Sequence, residues 1–259
     1  MSRVAAIAFN TFREAVRDRV LYNLIVFALL LIATAILFGQ ISIGVEQLIL
    51  VNLGLTAVTF FGLAIGVFIG IGLVYKEMDK RTLYAMLSKP VRRYEFILGK
   101  FAGLALTLLV NVALMTVGFF VALYYVKRSF TAADLHILTA IYFIFLQLLL
   151  ATALALLFSC FSSPVLSAAF TVGLFIAGSF SSDILELGKM VDVPWWLEWF
   201  TRVVYYVLPN FRNFNVISSV AHEHPVPFDL VLYNTAYAAI YIGLVVGAGI
   251  LIFQNRDLK

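Results

Sequence analysis

The chain is poor in charge. Of its 259 residues only 12% are Asp, Glu, Lys or Arg, while 63% are apolar. Its mean hydropathy is +1.01. Soluble globular domains carry about a quarter charged residues, so the composition excludes an ordinary water-soluble fold. The single cysteine, Cys160, excludes a disulfide framework and most cysteine metal sites. It reads as a small packing residue at a turn. Histidine is scarce too, with three in the chain. His222 and His224 flank Glu223, but imidazoles at i and i+2 converge on one ion only from an extended segment. No third strong ligand stands nearby, so this stretch before Pro225 and Pro227 reads as a solvated loop. The chain has no Gly-x4-Gly-Lys-Ser/Thr phosphate loop, no His-Glu-x-x-His and no Gly-x-Ser-x-Gly, hence no signature for binding ATP or for metal or serine hydrolysis.

Charge is also missing where coupled transport would need it. Residues 20–45, 47–75, 101–126, 137–182 and 230–255 contain no Asp, Glu, Lys, Arg or His. Proton- and ion-driven transporters keep such groups inside the membrane, so their absence argues against a self-powered secondary transporter. The polar groups left inside are Asn52, Asn111 and Gln147, with scattered Ser and Thr. They are expected to hydrogen-bond between helices, and the competing reading is that they line a translocation pathway.

What the chain has is span-length apolar sequence. A helical span needs about 20 such residues. The run 137–182 is long enough for two, separated by Ser159-Cys160-Phe161-Ser162-Ser163-Pro164. The expected architecture is an all-α integral membrane protein, a single transmembrane domain with six spans near 20–45, 47–75, 95–126, 135–158, 164–182 and 230–254. Long continuous runs without period-2 alternation favour helices over a barrel. Residues 1–19 form an amphipathic pattern, with Ala5, Ala8, Phe12, Ala15 and Val16 on one face and Asn10, Arg13, Glu14, Arg17 and Asp18 on the other. This suits a helix lying in the interface. No cleavage site stands out, so the first span is expected to serve as the targeting signal.

Glycines recur four apart at Gly62, Gly66 and Gly70, at Gly99 and Gly103, and at Gly243 and Gly247. That spacing admits a close helix neighbour, more often within the chain than between chains. Residues 183–229 are the one sizeable stretch outside the spans. They hold Trp195, Trp196, Trp199, Phe200, Tyr205, Tyr206, Phe211 and Phe214. Pro194 suggests a helix start and Pro209-Asn210 a break, so short helices resting on or dipping into the outer interface are expected. With both termini on one side, 13 Lys and Arg fall on that side and 5 on the other. The positive-inside rule then places both termini in the cytoplasm. The same asymmetry accounts for the basic pI without nucleic-acid binding.

Residues 75–100 organise the rest. Seven of the 18 Lys and Arg lie there: Lys76, Lys80, Arg81, Lys89, Arg92, Arg93 and Lys100. Glu77 and Arg81 stand i and i+4, the favourable order for a helical ion pair. Leu83, Met86 and Leu87 form an apolar stripe, and Pro90 stops the helix. A plain juxtamembrane anchor would need only the basic residues.

The stretch from Glu77-Met78-Asp79-Lys80-Arg81-Thr82-Leu83 through Met86-Leu87-Ser88-Lys89-Pro90-Val91-Arg92-Arg93 to Gly99-Lys100 resembles the signature after the second span of ABC-2-type transporter permeases. Arg81 stands where many members have Gly, a change an exposed helix tolerates. Leu208-Pro209-Asn210-Phe211 and Phe214-Asn215 are similar to stretches before the last span in some members. The resemblance implies the membrane subunit of an ATP-driven exporter in the cell inner membrane. Residues 76–93 would be a cytoplasmic coupling helix between spans two and three, docking on a separate ABC ATPase subunit. Glu77, Arg81, Thr82, Leu83, Met86, Leu87, Pro90 and Arg92 would carry that contact. A second permease chain would complete the pathway. ATP and Mg would sit on the ATPase, with no cofactor on this chain. The N-terminal helix would be the elbow helix. Trp195, Trp196, Trp199, Pro209 and Asn210 would belong to short re-entrant helices at the outer gate.

Two other classes remain open on the residues alone. A multi-span enzyme acting on lipid would demand clustered Asp, Glu or His at the interface, which the borders of the runs lack. A non-transporting membrane assembly or maturation factor is the third reading.

Overall fold

A computed structural model describes residues 2–41, 44–79, 92–131, 134–181, 199 and 208–255. These residues are helical nearly throughout. Helix α1 (Arg3–Val16) starts at Ser2, whose Oγ accepts the Ala5 N–H at 3.3 Å, an N-cap that satisfies an otherwise orphan donor. Helix α2 (Arg19–Ile41) follows Asp18, whose carboxylate accepts the Val20 N–H at 3.0 Å. Helices α3 (Glu46–Asp79), α4 (Arg93–Lys127) and α5 (Leu135–Ser159) come next, then α6 (Pro164–Ser179). A 3-10 turn (Phe211–Phe214), the short α7 (Ile217–Ala221) and α8 (Phe228–Asn255) complete the described chain.

Five of these, α2, α3, α4, α5 and α8, are long and apolar enough to cross a membrane. The sixth expected span falls on α6, which has 16 residues. At 1.5 Å per residue it reaches about 24 Å, short of the roughly 30 Å hydrocarbon core. Pro164 at its first turn fixes the start, and the chain leaves helical geometry at Phe180.

The helices run up and down between two ends. At one end, α1 lies against the start of α4, and Arg93 reaches the last carbonyls of α8. At the far end, Glu223 accepts from Gln47 Nε2 at 3.1 Å and lies 3.9 Å from Lys127 Nζ. Helix α5 is central, with 72% of its span buried inside the bundle. Helices α2 and α8 are peripheral, each with 28% of the span buried.

The glycine spacings resolve into two close contacts and one open face. Helix α3 meets α5 at Gly62 and Gly66. A Cβ at Gly66 would stand 2.5 Å from Thr152 Oγ1, and one at Gly62 would collide with Leu148. Helix α1 crosses α4 at Gly99 and Gly103, where a Cβ would stand 2.6 Å from Ile7 Cβ and 2.6 Å from the Ala8 carbonyl oxygen. At Gly243 and Gly247 a Cβ would meet nothing within 4 Å.

The face of α1 turned to α4 includes Ile7, Ala8, Thr11 and Ala15, while Ala5, Phe12 and Val16 of the expected apolar face are half-buried. Phe9 is left exposed under the Arg13 guanidinium, 4.5 Å from the ring centroid. The interior amides Asn52 and Asn111 do not bridge helices. Asn52 Nδ2 donates to the Leu48 carbonyl at 2.9 Å and Asn111 Nδ2 to the Thr107 carbonyl at 2.6 Å. Thr59, Thr107, Thr116, Thr152, Thr171 and Thr235 do the same with the carbonyl four residues back, and Thr235 also shares a hydrogen bond with the Tyr142 hydroxyl of α5 at 2.9 Å, as expected between helices. Asn and Thr side chains are short enough to fold onto their own helix.

Candidate functional site

Between α3, α5, α6 and α7 lies a cleft of about 250 Å³. Its polar lining comes from Thr56, Thr59, Gln147, Ser179 and Asn215, and its apolar lining from Phe60, Leu63, Phe175 and Ile217. Among the described residues, none that lines it is charged. Most of the polar groups are partly occupied. Thr59 Oγ1 donates to the Leu55 carbonyl at 2.9 Å, and Ser179 Oγ donates to the Phe175 carbonyl at 2.7 Å. Asn215 Oδ1 accepts the Ile217 N–H at 3.4 Å, leaving its NH2 group available. Gln147 is different. It is only 6% exposed, and its amide makes no hydrogen bond among the described residues. Ligand sites combine mostly apolar walls with a few convergent polar groups, and this cleft has that make-up.

Of the three amides proposed from sequence as pathway lining, only Gln147 lines this cleft. Asn52 and Asn111 do not. The Asn111 carbonyl oxygen is buried without a partner elsewhere in the core.

The cleft is bounded at the far end by the segment after the aromatic stretch. Gly178 of α6 has no side chain where Pro209 and Phe211 come in. Phe211 packs on Phe175 at 4.9 Å between centroids, and Phe214 on Tyr237 of α8 at 6.1 Å. The Asn210 N–H donates to the Tyr237 hydroxyl at 2.9 Å, and Asn234 Nδ2 to the Asn213 carbonyl at 2.7 Å. Phe211 and Phe214 are thus core residues of a segment expected to rest on or dip into the outer interface. Pro209 and Asn210 are buried in this junction. Trp199 is exposed. Trp195 and Trp196 lie outside the described residues.

The proposed coupling residues Arg81, Thr82, Leu83, Met86, Leu87 and Pro90 also lie outside the described residues. Glu77 belongs to the last turn of α3, and Arg92 immediately precedes α4. Helix α3 continues unbroken past its apolar span, which ends at Leu73, as far as Asp79. The chain on both sides of residues 80–91 is therefore held at the end of the bundle that carries α1.

That end is tied together by contacts the sequence did not announce. Arg93 Nη1 donates to the Phe253 and Gln254 carbonyls at 3.0 and 2.8 Å. These are orphan acceptors at a helix C-terminus, where a cation is favoured. Glu95 accepts the Arg92 N–H at 2.8 Å, capping α4, and lies 3.9 Å from Arg3 of α1. Phe96 stacks on Phe253 at 5.6 Å. Lys100, counted from sequence among the basic residues of a headgroup-facing segment, is fully buried, with its ammonium 5.8 Å from the Phe96 centroid. The Gly99/Gly103 spacing was the one visible signal of this junction, because it marks where α1 docks.

The far end has its own polar cluster. Lys127 Nζ donates to Asp134 Oδ1 and to Thr131 Oγ1, both at 2.9 Å. The Thr131 N–H and hydroxyl donate to Asp134 Oδ2 at 2.7 and 3.0 Å. Burial would raise the Asp134 pKa, but the bonds from Thr131 and Lys127 outweigh it and hold it below the usual value.

A family model described as "ABC-2 family transporter protein" matches residues 5–258. No curated protein matches the chain.

Proposed function

The chain belongs to the ABC-2 transporter family, a multi-pass membrane protein serving as a permease of an ABC transporter, and on that premise we propose that it couples to a separate ATPase through residues 76–93. One observation supports this. The end of α3 at Asp79 and the start of α4 at Arg93 emerge at the same end of the bundle, beside α1 and the terminus of α8. A partner pressing on the segment between them would act on α3 and α4 directly. Through Arg93 and Gly103 it would also act on α8 and α1.

Two such chains, alike or related, would form the pathway between them. ATP and Mg would be held by the ATPase. Export from the cytoplasm across the inner membrane is the direction we favour, with the α1 end facing the ATP. Trp195, Trp196, Trp199, Pro209 and Asn210 would then stand at the outer gate, above the cleft.

Co-purification with a candidate ATPase tests the coupling. The wild type is expected to retain the ATPase, and the pair Glu77→Ala plus Arg81→Ala to lose it. Equal retention by both removes those two residues from the contact. Failure of any ATPase to associate overturns the reading.

A further inference from the structure

We propose that the cleft between α3, α5, α6 and α7 binds an uncharged amphipathic molecule, with a hydrogen-bonding head held by Gln147 and Asn215. This deepens the transporter reading and rests on it, since it names the chemical class of the cargo.

Gln147 carries the inference. A side-chain amide that opens onto a cleft without a protein partner is free to bond what enters it. Asn52 and Asn111 donate to their own helix. Gln147 has one more methylene, and its amide is instead part of the cleft wall with no partner among the described residues. It offers one carbonyl and one NH2, so it can accept and donate. Asn215 adds an available NH2 across the cleft, and Thr56 adds a hydroxyl.

The same lining sets what the head is. Among the described residues, no Lys, Arg, Asp, Glu or His borders the cleft. A phosphate or an ammonium would surrender its hydration there and meet no opposite charge. Hydroxyl and amide groups lose less and are repaid by Gln147 and Asn215. The volume of about 250 Å³ suits a head on the scale of glycerol or a single sugar, not a whole lipid. An apolar tail has a place outside, because Phe60 at the rim is 64% exposed on a helix that crosses the bilayer.

Such a head has two sources, a membrane lipid or a water-borne compound. Photo-crosslinking of the full chain in nanodiscs separates them. The probes are a photoactivatable monoacylglycerol, the lysophosphatidic acid of the same acyl chain, and a photoactivatable aryl glucoside with no acyl chain. Peptides carrying residues 56–63 and 215–217 are expected to be labelled at least fivefold more by a neutral probe than by the anionic one. Gln147→Leu should lower that labelling at least fivefold. Thr56→Val, at an exposed position on the cleft wall, should lower it at least twofold. It decides the matter if Gln147→Leu does not fold.

Labelling by the monoacylglycerol alone assigns a lipid source, and labelling by the glucoside alone a water-borne one; either supports the neutral head. Equal labelling by neutral and anionic heads, labelling indifferent to both variants, or no labelling of these peptides by any probe overturns the proposal. The readout needs neither ATP nor the ATPase, so its failure is distinct from failure of the coupling test.

Discussion

At Gly103 a single methyl group decides how α1 sits. A Cβ there would stand 2.6 Å from the Ala8 carbonyl oxygen and 2.6 Å from Thr11 Cβ. The first is backbone and cannot rotate away. Gly103→Ala should therefore destabilise by about 1–3 kcal/mol through overpacking, exceeding the gain of up to about 1 kcal/mol that Ala brings to a helix. Gly247→Ala meets nothing within 4 Å and should be neutral or slightly stabilising. Thermal unfolding in one detergent compares the two, and equal shifts would contradict the α1–α4 crossing.

Asp134 supports a prediction in acid. Its carboxyl is buried, which alone raises the pKa, but Thr131 and Lys127 bring it below the usual 3.8. A group whose folded pKa is depressed contributes stability that is complete above its unfolded value. That stability is withdrawn as the pH falls through the folded value. Asp134→Asn should cost about 1–3 kcal/mol at neutral pH, and the gap from wild type should close below about pH 4. Melting curves run from pH 7 to pH 3 check this; a constant gap would count against it.

Among the elements, α8 is closed by a residue about 160 positions away in sequence. Arg93 supplies the Phe253 and Gln254 carbonyls with charged hydrogen bonds, worth about 1.5 kcal/mol or more. Without them the last turn of α8 should open roughly tenfold more often. Deuterium uptake at residues 250–254 should rise accordingly in Arg93→Met, with α5 unchanged and partial recovery in Arg93→Lys. Unaltered uptake would leave the cap with no role.

The elements show what a sequence can and cannot carry. Uncharged runs located α2, α3, α4, α5 and α8, because burial in hydrocarbon is a property of composition. At α6 the expected span, 164–182, and the helix, Pro164–Ser179, end differently, because where the backbone leaves the helix, at Phe180, is not composition. Glycine spacing marked α3 against α5 and α1 against α4, yet the same spacing at Gly243 and Gly247 faces open space. Spacing announces that a helix can be approached, not which neighbour comes. Arg93 read as one more headgroup-facing cation because its acceptors are backbone atoms, which every sequence has. Gln147 stood out as an amide in an apolar helix. That it lines a cleft while Asn52 and Asn111 turn onto their own helices depends on side-chain reach, seen only in three dimensions.

For the whole molecule, alternating helices place Ser2 at the α1 end and both Ser129 and His224 at the far end, all three exposed. Among the described residues, cations cluster at the α1 end, with Arg3, Arg13, Arg17, Arg19, Arg92 and Arg93 there against Lys127, Arg128 and Arg212 at the other. On the positive-inside rule we expect the α1 end in the cytoplasm, where ATP would be available to a docked ATPase. With the buried Cys160 replaced by Ala, single cysteines at these three positions give a direct reading. An impermeant maleimide applied to intact cells should label Ser129→Cys and His224→Cys, and should reach Ser2→Cys only after permeabilisation. The pair at the far end tests the bundle, whichever way it faces. If Ser129→Cys and His224→Cys label from opposite sides, the helix order is wrong. If both are shielded while Ser2→Cys labels, the bundle stands but is inverted. Residues 76–93 would then lie on the side without ATP, and coupling through them would be impossible.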